Sequence, residues 1–406
     1  MMGTVIFDKN FYVRKKIKNM LFYVLIFFSV FDQSREALPL PSIVNSLFPL
    51  IRDCLIIYFF IRNFSKNINS LFILIPCFFL ISTIIGFLNF HSLKPLKEMW
   101  NYLKFFLIYY IFLYEDVFLN NKDKILLFYL KSVVIVFLFN IIAVLGFSSF
   151  LTRTFSAGLR LTVGNSSIVS YLYISALIVV LYFNVTSKRK LYVIIYIIAI
   201  ISTVTTTAFI ALVPIIFIYF IKKLNFKRKI TVLFLTFFSI IVLFKVFSSI
   251  EFLSSFFDYF KDKWKQVIEL FSFNSDIGSI GTLSTREQQK RNLLSNMNLF
   301  DYIFGLGFSG YNKYIGFMVE NQFITFLSIF GLFGFIFLIF FMAKYILVSF
   351  LSVNEYNISV LCVVACYSYT LVIFLPYISN FVTAFLFALS SNYYNKNDCL
   401  YLQIRN

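Results

Sequence analysis

Apolar runs of about twenty residues, each long enough to cross a hydrocarbon core, recur along this 406-residue chain from one end to the other. Most are separated by short basic links. Little freedom of fold is left by that spacing. Hydrophobic residues make up 60% of the chain and charged residues 13%, with a mean hydropathy of +0.86. Globular proteins carry roughly 25% charge, and a soluble fold of this length has nowhere to bury so much apolar surface. The runs fall at 18–37, 43–61, 70–89, 101–119, 125–146, 166–184, 191–206, 207–221, 230–248, 318–342, 357–375 and 377–391. The expectation is an all-α polytopic membrane protein with about twelve transmembrane helices. Residues 1–248 hold the first nine runs, 249–316 form one large loop, and 317–406 hold the last three runs and a short tail.

Charge placement orients the helices. Arg14, Lys15, Lys16 and Lys18 precede the first run, which lacks a small-residue cleavage site, so the chain is expected to start in the cytoplasm with an uncleaved first span. Alternate counting then puts Arg62/Lys66, Lys122/Lys124, Lys188-Arg189-Lys190, Lys222/Lys223 with Lys227-Arg228-Lys229, and Lys344 on that same side. Positively charged short links belong to the cytoplasm, and both termini are therefore expected inside. The net charge of +18 is largely used up by this pattern. No basic surface large enough for nucleic acid remains. Of the five cysteines, Cys54, Cys77, Cys362 and Cys366 lie within apolar runs and none forms a CxxC pair; neither a disulfide framework nor a metal site is expected.

The segment 249–316 falls on the exterior face and is much the longest link, and links of that length are usually functional or disordered. Phe257, Phe260, Trp264, Val267, Ile268 and Phe271 recur there at helical spacing, with Lys261, Asp262, Lys263 and Lys265 between them. That pattern predicts a short amphipathic helix on the membrane surface. A Gly/Ser-rich hinge, 274–282, comes next. Ser284 and Glu287 are spaced as a capping box and predict a second helix from Ser284 to about Met297. Arg286 in its first turn, with Lys290 and Arg291 one turn on, would combine three cations with free backbone N–H groups. That is an anion site suited to phosphate or pyrophosphate; a solvated basic face or a lipid-headgroup contact fits the same residues.

Two further clusters stand out. Arg153 and Arg160 lie in the exterior link 147–165, against the orientation rule, and that link ends in Gly164-Asn165. Glu320-Asn321 opens the tenth run and is followed by Gly331 and Gly334. Glu320 can be read as an acidic residue favourably placed at a helix N-terminus, or as a general base at the mouth of a cavity. The two glycines suit close helix packing. Arg52-Asp53 sits inside the second run, where a charged pair is either functional or paired with itself or another helix. The one histidine, His91, is read as solvated or interfacial.

In this order and spacing, Arg160-Leu161-Thr162-Val163-Gly164-Asn165, then Thr285-Arg286 ahead of Gly305-Leu306-Gly307, then Glu320-Asn321 with Gly331 and Gly334, the chain resembles the bacterial O-antigen polymerase and O-antigen ligase superfamily. One departure matters: family ligases, and many polymerases, place a histidine where Glu320 stands; its loss counts against a ligase and leaves the polymerase branch, which is the more variable in sequence. The resemblance implies a metal-independent glycosyltransferase of the bacterial inner membrane, needing no cofactor. It would join oligosaccharide repeat units carried on undecaprenyl pyrophosphate, with lipid pyrophosphate as leaving group. The implied site is Arg160 and Arg286 on the pyrophosphate, supported by Arg153, Lys290 and Arg291, with Glu320 as base. Gly164, Asn165, Gly305, Gly307, Asn321, Gly331 and Gly334 would be its structural positions. Implied partners are the lipid-linked oligosaccharides, membrane lipids, a chain-length regulator and a flippase. Two other readings remain: an O-antigen ligase acting on lipid A core, and a polysaccharide flippase or other transporter.

Overall fold

A computed structural model describes residues 2–35, 41–64, 70–146, 162, 166–183, 185–203, 205, 208, 211–212, 215–216, 281–315, 324–336 and 381–389. Every regular element among the described residues is an α-helix, and no strand occurs among them. In chain order they are α1 (Met2–Arg35), α2 (Ser42–Asn63), α3 (Ser70–Phe90), α4 (Lys94–Tyr114), α5 (Asp116–Asn120), α6 (Lys122–Gly146), α7 (Ser166–Tyr182) and α8 (Arg189–Ser202). After them come α9 (Gly281–Asn296), α10 (Leu299–Phe304), α11 (Asn312–Ile315), α12 (Ile324–Ile336) and α13 (381–389).

The all-α expectation holds, and the runs 43–61, 70–89, 125–146 and 166–184 match α2, α3, α6 and α7 to within a few residues. Others differ. α1 begins at Met2, so the basic residues before the first run are helical. α4 starts at Lys94, with Pro95 in its first turn, where a missing N–H costs nothing and the fixed φ suits the helix. The fourth run, 101–119, is broken at Glu115, which leaves helical geometry (φ −78°, ψ 117°) and caps α5 by accepting from Val117 N at 3.1 Å. Among the described residues, one helix, Lys122–Leu145, is long and apolar enough to cross a membrane by itself; Ile75–Phe90, Ile168–Tyr182 and Ile324–Ile336 are shorter apolar helices. The runs at 230–248 and 357–375 and the amphipathic segment 257–271 lie outside the described residues.

Aromatic side chains form the main core. Phe22 of α1 meets Phe59 of α2 edge-on at 5.3 Å and Phe112 of α4 at 5.6 Å. Phe385 of α13 closes on Phe112 at 5.0 Å and on Tyr129 of α6 at 4.7 Å. α7 is buried along nearly its whole length, as expected of a helix apolar on every side. Its few polar groups are matched by neighbours: Asn140 donates to Tyr173 Oη at 2.9 Å, Thr205 to Ser170 Oγ at 3.2 Å and Thr383 to Tyr171 Oη at 3.3 Å.

Charge lies in two layers, one buried and one half-buried, about 16 Å apart along α4. At one end Lys18 of α1 pairs with Glu115, which also accepts from Asn63 Nδ2 of α2 at 2.7 Å. At the other, Arg52 of α2 pairs with Asp32 of α1 and with Asp53 at 3.1 Å. Asp53 also accepts from Trp100 Nε1 at 2.7 Å and faces Lys104 Nζ of α4 at 3.5 Å. Arg52-Asp53 is thus paired both with itself and with other helices, the plainer of its two readings. Each layer balances its formal charges, and together they run α1 antiparallel to α2 and α4.

Candidate functional site

A second, smaller core unites α3, α4, α9 and α12 with the segment 305–311 through Phe79, Tyr102, Leu293, Met297, Leu306, Phe308, Tyr311, Ile329 and Phe330. At its centre lies Gly305-Leu306-Gly307, the middle of the three clusters singled out in the sequence. Asn298 and Asp301 form a reciprocal capping box that starts α10, with bonds of 2.8 and 3.1 Å. Gly305 then leaves the helix at φ 82° and Gly307 turns again at φ 74°, a region where a Cβ is strained.

From there the chain runs as a backbone strip between two helices. Leu306 N donates to Ser328 O at 2.6 Å and Gly307 N to Ile329 O at 3.0 Å, both on α12. Phe308 N donates to Ser82 O of α3 at 3.0 Å, and Asn89 Nδ2 of α3 donates to Leu306 O at 3.1 Å. Gly331 itself has φ 65°, a departure from helical backbone at the point where the Ser328 and Ile329 carbonyls are turned to this strip. A Cβ on Gly305 would lie 2.2 Å from Ile329 O, one on Gly331 2.5 Å from Gly305 N, and one on Gly307 2.2 Å from Gly86 N of α3. Gly305, Gly307 and Gly331 are therefore brought together. Gly305 and Gly307 permit loop-to-helix contact, and Gly331 lets α12 approach the end of α10, where its Cβ would lie 2.3 Å from Ile303 O. A Cβ on Gly334 would meet the Phe330 side chain of its own helix at 2.0 Å.

Ser309 and Tyr311 carry the strip to α4. Ser309 Oγ donates to Glu98 at 2.7 Å and Tyr311 Oη at 3.2 Å, and all three side chains are buried. Glu98 lies ahead of the apolar run 101–119. Two hydroxyl donors thus converge on one carboxyl group. Glu98, Ser309 and Gly86 were not among the residues that the sequence singled out. Gly86 had a usable signal, a lone glycine in an apolar run; Glu98 had none, sitting beside Lys97 like any solvated charge.

The predicted anion helix differs from expectation at its start. α9 begins at Gly281, so Ser284 lies inside the first turn and cannot be its cap. Arg286 falls in the second turn, beyond the free N–H groups of the first. The end near Met297 is as expected. Leu293 and Met297 anchor α9 to the second core, and Tyr302 Oη reaches back to Leu294 O at 2.6 Å, so half-buried Lys290 and exposed Arg291 belong to the same body as the glycine strip. Arg153, Arg160, Gly164, Asn165, Glu320 and Asn321 lie outside the described residues. His91 is exposed at the end of α3 with φ 49°. Among the described residues no three His, Cys, Asp or Glu side chains converge as a metal site.

No family model matches this chain, and no curated protein matches it either.

Proposed function

We propose that the chain is a bacterial inner-membrane polymerase of O-antigen or a related surface polysaccharide, with about twelve spans, both termini inside and the loop 249–316 outside. It joins oligosaccharide units carried on undecaprenyl pyrophosphate. Arg160 and Arg286, with Arg153, Lys290 and Arg291 in support, bind the departing pyrophosphate, because guanidinium stays charged and offers two parallel donors. Glu320 accepts the proton of the attacking sugar hydroxyl. One observation carries most of the support: Gly305-Leu306-Gly307 and Gly331, two clusters chosen by their resemblance to this superfamily, meet backbone to backbone.

In the organism of origin, Arg160→Ala and Arg286→Ala should each abolish long glycan chains at unchanged protein level. Normal chain-length ladders in both would overturn the pyrophosphate assignment. Deleting the gene separates the rival activities: loss of a polymerase leaves lipid A core with one repeat unit, whereas loss of a ligase leaves core with none.

A further inference from the structure

The strip 305–308 is joined to α3 well short of that helix's end. Phe308 N reaches Ser82 O, and Gly307 sits against Gly86, while α3 runs on to Phe90. Phe308 thus lies about 12 Å below the end of α3, against roughly 15 Å for half a hydrocarbon core. Irregular backbone is tolerated at such depth only when buried in protein with its polar groups matched. The N–H groups meet that condition: Leu306 and Phe308 are fully buried, and the N–H groups of residues 306, 307 and 308 all donate to helix carbonyls. Beside the strip, the outward side chains are apolar. Leu299 is 77% exposed, Phe300 61%, Phe333 60%, Leu332 50% and Phe304 46%. Phe304 stands 4.7 Å from Phe300 and 6.0 Å from Phe333, so α10 and α12 share an aromatic surface. α3 adds exposed Leu80, Ile81, Ile84 and Leu88 to the same body.

We propose that residues 299–311 are re-entrant: they dip into the outer leaflet between α3 and α12, and Leu299, Phe300, Phe304 and Phe333 dock into phospholipid acyl chains. The proposal rests on the membrane topology given above. Depth is what selects this occupant over a soluble partner, since a surface 12 Å or so below a helix end is reached by lipid. Part of the loop 249–316 is then no free exterior domain, and its basic helix α9 is moored at the level where lipid-linked pyrophosphate would lie.

The test uses the full chain in native membranes, with photoreactive benzoylphenylalanine incorporated at Phe300, at Phe304 or at exposed Gln288 of α9. Phospholipid adducts, identified by mass, are expected from positions 300 and 304 and not from 288. Crosslinking of 300 and 304 to a second copy or to another protein, or no lipid adduct at either, would overturn the proposal. Carbonate extraction separates the two premises. Release of the chain from membranes sinks the topology itself; retention without lipid adducts sinks only the re-entrant segment.

Discussion

Glu98 is 3% exposed and accepts from two hydroxyls on a segment more than two hundred positions further along the chain. The carboxylate therefore helps to seat that segment against α4. Glu98→Ala leaves the Ser309 and Tyr311 hydroxyls without their shared acceptor and should destabilise by about 2 kcal/mol or more. Glu98→Gln, which keeps an acceptor oxygen in place, should cost less. Equal unfolding midpoints in detergent for wild type and Glu98→Ala would show that the contact contributes nothing to the seating.

At the scale of elements, the seating of 305–308 depends on hydrogen atoms where other residues carry side chains. Gly307→Ala would place a methyl 2.2 Å from Gly86 N at a φ of 74°, combining left-handed strain of about 1–2 kcal/mol with a backbone clash. The loss should exceed about 3 kcal/mol, whereas Leu332→Ala on the exposed face should cost about 0.5 kcal/mol or less; equal midpoints for the two would refute the close approach. Much of this element structure was legible in advance. Apolar run lengths located α2, α3, α6 and α7, because a helix that must be apolar throughout advertises itself in composition. The break at Glu115 was not legible, since it comes from a side chain that both caps α5 and pairs with Lys18. Nor was the start of α9: Ser284 and Glu287 had the spacing of a cap, but three residues before them joined the helix. Of the site, the glycines could be read because they answer to backbone geometry, while Glu98 could not because only a distant segment gives it meaning.

Across the whole molecule, the two charge layers fix how α1, α2 and α4 sit against one another. Removing one member of such a layer leaves a charge without its partner, and Glu115→Ala should destabilise by about 3 kcal/mol or more. The paired replacement Lys18→Met with Glu115→Leu should recover part of that loss and no more, because the α5 cap and the acceptor for Asn63 Nδ2 stay missing. A double variant no more stable than Glu115→Ala would show that the unmatched Lys18 charge contributes little to the loss. The same layers impose an order on biogenesis. Asp32 and Arg52 leave the ribosome close together and can neutralise each other as soon as the first hairpin exists. Lys18 must wait for Glu115, roughly 5 to 20 seconds of synthesis. For that interval the Lys18 ammonium lacks its carboxylate partner, so α1 completes its packing at this end only once α4 has been made.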